Sequence, residues 1–373
     1  MGSIISRRLT EKDKSKLNAL YNSLFKQSRT IENFDWEFIN NPQGEAYSWI
    51  LEDAESSDII GHYGLIPLGC GYWGKSILAG KTENAMLHPQ YRGKGLYVPF
   101  EVDCIRRASE KFQLIWTSYS SVSGIRTHMK AGYIPVGKLV TYTHVNKMGI
   151  ANMLSNLIKD KISSRIVRYF LQELSGCISR VFVFVFSKNI ANHKEIRLEK
   201  VKDINTVAKE LTELWDNVKA DYGITVARSI PYLRWKIFNN PYIKYDFYVA
   251  LKQQRLVGYV ITRVVKKDET KRGVIVDIIV AEPKTKMLDC VLAETITNFL
   301  QKGICHIEFP TLKSNNFINK ALKRSGFVSL DSIYAKLRRR EANFLAIPLD
   351  NTLNPKTVFN PNNWYFTHIF TEY

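Results

Sequence analysis

Between residues 83 and 96 an apolar strand, Glu83 to His88, runs into Pro89-Gln90-Tyr91-Arg92-Gly93-Lys94-Gly95-Leu96, and an amphipathic segment that reads as a helix follows from Tyr97 to Lys111. A strand, a tight turn with two glycines and a helix N-terminus gather several backbone N–H groups around one concavity, and the helix dipole adds partial positive charge there. Such a cradle binds a pyrophosphate. Gly93 and Gly95 let the backbone approach the phosphates with no Cβ in the way, and Arg92 and Lys94 add cationic reach. Two glycines before a helix also serve purely structural turns, so the meaning of the loop depends on the elements around it.

Those elements occur twice. Trp36-Glu37-Phe38-Ile39-Asn40-Asn41-Pro42 returns as Trp235-Lys236-Ile237-Phe238-Asn239-Asn240-Pro241. Each copy continues with a hairpin, Tyr47 to Leu51 and a strand opening on Gly61-His62-Tyr63, then Phe247 to Leu251 and a strand opening on Gly258-Tyr259-Val260. Pro89 and Gly132-Tyr133 match Pro283 and Gly326-Phe327 at one common offset. Each copy also opens alike: Ile4 to Leu9 then a helix from Asp13 to Phe25, and Ile196 to Val201 then a helix from Ile204 to Val218. The unit is strand, helix, hairpin, strand, helix, strand, helix, which describes a mixed α/β (α+β) sheet with helices on its faces. The expected division is residues 1–144 and 194–373, joined by a connector over 145–193 with helical periodicity from Ile150 to Leu174.

The string Gln90-x-x-Gly93-x-Gly95, after a strand and Pro89, resembles the acyl-CoA pyrophosphate loop of the GNAT superfamily of acyltransferases, and Gly132-Tyr133 stands where that family has its Gly-Phe. The likeness covers the N-terminal half well and the remainder more faintly, through the repeat. It implies tandem GNAT-like domains and an acyl-CoA co-substrate, acetyl-CoA or a short-chain acyl-CoA, with no metal. In that arrangement Met86, Leu87 and His88 would pair with the pantetheine as if it were a strand, a backbone N–H near Met86 or Leu87 would face the thioester oxygen, and Gln90, Tyr91, Arg92, Gly93, Lys94, Gly95 and Leu96 would surround the pyrophosphate. Members often carry an Asn and a Tyr ahead of the Gly-Phe, the Tyr commonly acting as acid toward the leaving thiolate; Ser120 and His128 stand in those places here. Ser120, with Ser123 nearby, can hydrogen-bond the arm, and an imidazolium at His128 can protonate the thiolate. The plain alternative for His128 is an ordinary helix histidine. Glu83 is the leading candidate for the base that deprotonates the amine, its alternative being a surface carboxylate, with His62 and His88 behind it.

The second copy departs from the pattern. Lys286-Met287-Leu288-Asp289 falls where the first copy has Arg92-Gly93-Lys94-Gly95, bringing side chains and a negative charge to the place a pyrophosphate must approach, so one CoA per chain is expected. The tail Asn363 to Phe370 resembles the aromatic C-terminal segment of other tandem members, which brings His368 and the Tyr373 carboxylate into consideration; simple packing is the alternative.

No motif names the acceptor amine. A hairpin motif in each half with a single intact loop resembles tandem GNAT enzymes that acylate nucleotide-linked amino sugars for surface polysaccharides, those acting on dTDP-3-amino-3,6-dideoxyhexoses included. This implies an anionic nucleotide-linked amino sugar as partner, held between the halves. An aminoglycoside or other small amine, and a non-catalytic CoA-binding regulator or nucleic-acid binder, are the competing readings. The net charge of +18 suits anionic partners without choosing among them. There is no Cys/His finger, basic-region heptad or aromatic RNA-binding signature. Five widely spaced cysteines without a Cys-x-x-Cys pair argue against disulfide scaffolding and zinc, and with no apolar leader or membrane-length run they point to a cytoplasmic protein.

Overall fold

The computed structural model describes residues 3–119, 121–145, 195–267, 270–314, 316–329 and 342–370. The expected connector, Ser120 and Tyr373 lie outside the described residues. The first half runs β1 (Ile4–Arg8), α1 (Lys14–Phe25), α2 (Ile31–Phe38), β2 (Tyr47–Asp53), β3 (Asp58–Tyr72), β4 (Lys75–Leu87), α3 (Tyr97–Ala108), β5 (Leu114–Tyr119), α4 (Val122–Lys130) and β6 (Ile134–Val145). The second runs β7 (Arg197–Val201), α5 (Ala208–Val218), β8 (Ile224–Val226), α6 (Ile230–Leu233), β9 (Asp246–Lys252), β10 (Arg255–Lys267), β11 (Thr270–Val280), α7 (Lys286–Gln301), β12 (His306–Leu312), α8 (Phe317–Arg324), β13 (Val328–Ser329), β14 (Asn343–Pro348) and α9 (Pro355–Val358). The mixed α/β sheet with facing helices expected from the repeat is what forms.

The repeat accounts for the packing. Both hairpins are present, β2 with β3 and β9 with β10. The alternating Val and Ile of β10 and β11 are buried on both faces, as central strands require. On one face of the first-half sheet, Phe100, Cys104 and Ile105 of α3 pack on Trp49, Leu65 and Ile115; on the other, Leu17 of α1 and Phe34 and Phe38 of α2 pack on Ile50 and Met86. The two copies of the tryptophan motif meet. Trp36 Nε1 donates to the Trp235 carbonyl at 3.1 Å, Trp235 Nε1 donates to the Trp36 carbonyl at 2.9 Å, and the rings stack 5.0 Å apart. Such reciprocity is what a pseudo-twofold axis between two copies produces.

All the described strands join one sheet, and the halves interleave within it. Strand β14, from the C-terminal part of the chain, lies between β5 and β6 of the first half. Strand β6 leaves β14 at Lys138 and pairs with β12 from Leu139 onward. Leu345 of β14 is buried in the first-half core against residues such as Ile115 and Tyr133.

Burial in this interleaved core holds three histidines neutral. The imidazoles of His62 and His144 are pushed down to about 4, and that of His368 to about 3. An unfolded histidine takes its proton near pH 6.5, so between about pH 6.5 and 4 the unfolded chain holds more protons than the folded one. Stability is therefore expected to fall as pH falls through that window, by up to about 1.4 kcal/mol per pH unit for each histidine. Urea midpoints at pH 7.5 and 5 test this; equal midpoints would contradict it.

Candidate active site

Strands β4 and β5 run parallel but pair only at Ala79, Gly80 and Lys81 with Leu114, Ile115 and Trp116. Beyond that they part. The cause lies in β4: its register against β3 slips between His62 and Gly64, and Asn84 sits in the left-handed region at φ +50°. A bulge of this kind bends the strand that carries it and ends pairing on one side. The edge of β4 from Glu83 to Leu87 thus opens onto a slot whose other wall is the start of α4.

A cavity of about 400 Å³ occupies the slot, lined by Ala85, Met86, Leu87, Arg92, Gly93, Ser123 and His128 among others. Of the residues singled out in the sequence, Met86, Leu87, Arg92, Gly93, Ser123 and His128 come together here. Ser121, which caps α4 by accepting from the Gly124 N–H, also lines it and shares a 2.8 Å hydrogen bond with Ser123. Gln90, Lys94 and Gly95 lie exposed on the turn outside the cavity lining, and Leu96 packs into the first-half core. Gly93 and Gly95 both have φ +75° and open space where a Cβ would stand. Arg92 Nε donates to the Leu87 carbonyl at 3.0 Å, tying the turn back to the strand, while the Tyr91 hydroxyl donates to Asp53 at 2.7 Å and Lys94 Nζ stands 4.9 Å over the Tyr91 ring. His88 is half-buried, its ring edge-on to Tyr91 at 6.0 Å.

His128 is 2 % exposed, and its Nδ1 lies 2.5 Å from Oε1 of Glu101, which is fully buried on α3. A carboxylate behind an imidazole fixes the orientation of the ring. Tyr133, of the Gly132-Tyr133 pair, stacks edge-on against His128 at 5.3 Å, and its hydroxyl shares hydrogen bonds with Tyr63 and Thr82. Glu101 escaped the sequence reading. Its signal was there: it shares a buried helical stripe with Cys104, Ile105 and Ala108, where a carboxylate needs a partner.

Glu83 stands on the other side of the bulge and does not line the cavity; its carboxylate pairs with Lys81 Nζ at 2.5 Å and is 24 % exposed. Nearby, Arg29 and Glu37 form a buried pair at 3.0 Å, and burial together with the Glu83 charge pushes the Glu37 carboxyl up. Tyr242, directly after the second copy of the tryptophan motif, packs edge-on against Trp36 at 5.7 Å, and burial and the Glu37 charge raise its phenol. His62 is fully buried, with Nδ1 2.8 Å from the Asn84 carbonyl, which places it in the bulge and not in solvent contact.

The second copy has the same splay and a different filling. Strands β11 and β12 pair only at Gly273 and Val274 with Ile307 and Glu308. The tail lies in the gap: Thr367 donates to Asp277 at 2.7 Å, Thr311 donates to the Phe366 carbonyl at 2.6 Å, and the Tyr365 hydroxyl donates to the Ile278 carbonyl. Asp277 is the repeat counterpart of Glu83, here fully buried against Arg228 at 3.0 Å. Where the first copy has its glycine turn, Lys286 to Asp289 form the first turn of α7, with Leu288 in the core and Asp289 bound to Arg324 at 2.9 Å. His368 belongs to this tail, not to the first-half cavity. Among the described residues no cluster of three His, Cys, Asp or Glu could hold a metal, and no helix is long and apolar enough to cross a membrane.

No protein-family model and no curated protein matches the chain. Solved structures do. A GCN5-related N-acetyltransferase from Anabaena variabilis superposes with TM-score 0.62 at 12% identity, covering 93% of this chain and 73% of that one. A probable N-acyltransferase of unknown function from Enterococcus faecalis gives TM-score 0.63, 12% identity and the same coverage, 93% and 73%. N-myristoyltransferase from Saccharomyces cerevisiae with bound myristoyl-CoA gives TM-score 0.56 at 12% identity, over 100% of this chain and 86% of that one. The fold is that of the GCN5-related N-acetyltransferases.

Proposed function

We propose that the protein is an acyl-CoA-dependent N-acyltransferase whose co-substrate occupies the slot between β4 and β5. The observation that carries this reading is the unpaired edge of β4 from Glu83 to Leu87, which ends at a glycine turn with Arg92 at one mouth and at His128 along its wall. Pantetheine pairs with that edge, and the pyrophosphate meets the N–H groups from Arg92 to Leu96. In the reaction the amine nitrogen attacks the thioester carbon and the carbon–sulfur bond breaks. Glu83 takes the proton from the amine, His128 gives one to the CoA sulfur, and a backbone N–H near Met86 or Leu87 holds the developing oxyanion. Thr367 supports the role of Glu83: in the second copy a hydroxyl donates to the corresponding carboxylate from inside the slot, as an incoming amine would in the first. Glu83→Gln is expected to remove the limb of the pH–rate profile that reports the base, and a profile identical to the parent's would reject it.

The acceptor in this reading is a nucleotide-linked amino sugar of the dTDP-amino-dideoxyhexose type, destined for surface polysaccharide. The net charge of +18 supports an anionic acceptor, and Tyr242 supports a second-half wall beside Glu37 and Glu83. A screen of acyl-CoAs against dTDP- and UDP-linked amino sugars, free amino sugars, aminoglycosides and a lysine peptide, following thiol release, tests it. Turnover is expected only with the diphosphate attached, because remote binding energy holds the amine in line with the thioester. Equal efficiency on the free amino sugar would remove the nucleotide; thiol release with none of the amines would overturn the enzyme.

A further inference from the structure

A second cavity, of about 430 Å³, opens at the end of β11 in the second half. It is the repeat twin of the acyl-CoA slot: Pro283 stands where the first copy has Pro89, and α8 stands where it has α4, with Lys320 and Arg324 in the positions of Arg126 and Lys130. The inner part of this twin is closed, because the tail fills the splay and Trp364 and Tyr365 form the floor. Only the outer chamber remains open. Its volume lies in the range of roughly 300 to 1,000 Å³ usual for small-ligand sites.

Three cations and one acid line the chamber. Lys284 faces Asp221 at 3.4 Å with both side chains mostly exposed, Arg324 is held from behind by Asp289, and Lys320 has no acidic partner among the described residues. Over the opening stands Trp73, at the tip of the β3–β4 hairpin of the other half. Its indole is 50% exposed and its backbone sits at φ +51°, a conformation costly for a bulky residue. The tip is pinned there: the Trp73 N–H donates to the Gly223 carbonyl at 3.0 Å, and Gly223, at φ +65°, has no room for a Cβ, which would lie 2.4 Å from the Asn363 oxygen. A strained, exposed aromatic ring lining the same cavity as two lysines and an arginine is an arrangement that takes a planar group on the indole and an anion on the cations.

We propose that this cavity is a second binding site, for a nucleoside diphosphate, with the base on Trp73 and the phosphates on Lys284 and Lys320. It is separate from the acyl-transfer slot and independent of the reading given to that slot. The β3–β4 hairpin runs from the Gly61–Leu87 pair beside the slot to the Tyr72–Lys75 pair beside Trp73, about 35 Å at ~3.3 Å per residue, beyond the reach of one nucleotide-linked sugar.

Calorimetric titration of the full chain, its first-half slot saturated with CoA, with dTDP, ADP, thymidine and inorganic pyrophosphate tests the assignment. One equivalent of either nucleoside diphosphate is expected to bind at this site, and thymidine and pyrophosphate to bind at least about tenfold more weakly. Trp73→Ala, and separately Lys284→Glu with Lys320→Glu, should each weaken that equivalent about tenfold or more, whereas Gly95→Val, at the acyl-CoA turn, should leave it unchanged. All three lysine and tryptophan positions are exposed, and circular dichroism checks that the variants fold. An isotherm unchanged by the Trp73 and lysine variants, or lost in Gly95→Val, would overturn the site, and pyrophosphate binding as tightly as dTDP would overturn the role of the base.

Discussion

Gly95→Val is expected to abolish acyl-CoA binding in the first-half slot while native circular dichroism is retained. Gly95 holds φ +75° with nothing within 4 Å of where a Cβ would stand, so the fold tolerates the added atoms in space but the turn does not tolerate them in conformation. A β-branched residue is disfavoured at that φ and projects into the volume the pyrophosphate must enter. Calorimetry should show one tight acyl-CoA per parent chain and none in the variant. Leu288→Val, one residue before the counterpart Asp289, should cost about 1 kcal/mol of stability, since Leu288 is buried in the core, and leave acyl-CoA binding intact. Two equivalent acyl-CoA sites per parent chain, or normal binding by Gly95→Val, would sink the assignment of the loop.

Loss of the imidazole at position 128 is expected to lower turnover by ~10² to 10⁴, the usual cost of removing a general acid. His128→Phe keeps the bulk but leaves Glu101 buried without its partner, which can unfold the region. His128→Asn retains an N–H donor toward Glu101 and still removes the acid, so the two variants together separate folding from chemistry. Glu101→Gln probes the positioning role. With the carboxylate gone the imidazole loses the partner that fixes its ring, so kcat should fall while the KM for acyl-CoA stays near the parent's. Unchanged turnover in His128→Asn, with the chemical step shown to be rate-limiting, would return His128 to a structural role.

The features legible in the sequence were those written in local spacing. The glycine turn needed only its own residues and the strand and helix on either side, and the repeated Trp-x-x-x-Asn-Asn-Pro announced two like units before any contact between them was known. The helices came out nearly to their ends, Asp13 to Phe25 expected against Lys14 to Phe25 observed. Strand β4 was longer than expected, because its first residues, Lys75 to Thr82, alternate too weakly to stand out from the preceding turn. The position of β14 was not legible at all. Asn343 to Pro348 is an ordinary short apolar strand, and its partners, β5 and β6, lie some two hundred residues earlier in the chain, where no local pattern refers to them. For the same reason the aromatic tail could be seen as a packed segment but not assigned to the second slot: Thr367 and Asp277 declare their hydrogen bond only once both are in place.

The interleaving of the halves also sets a timetable for synthesis. When the N-terminal half has left the ribosome, β5 and β6 lack the strand that lies between them, and each presents an unpaired edge. The missing strand follows some two hundred residues later, so the fold of the first half closes only after that much more chain has emerged. The first-half slot, although its glycine turn is encoded early, is completed late, and cutting the chain between the halves would separate it from a strand it is built around.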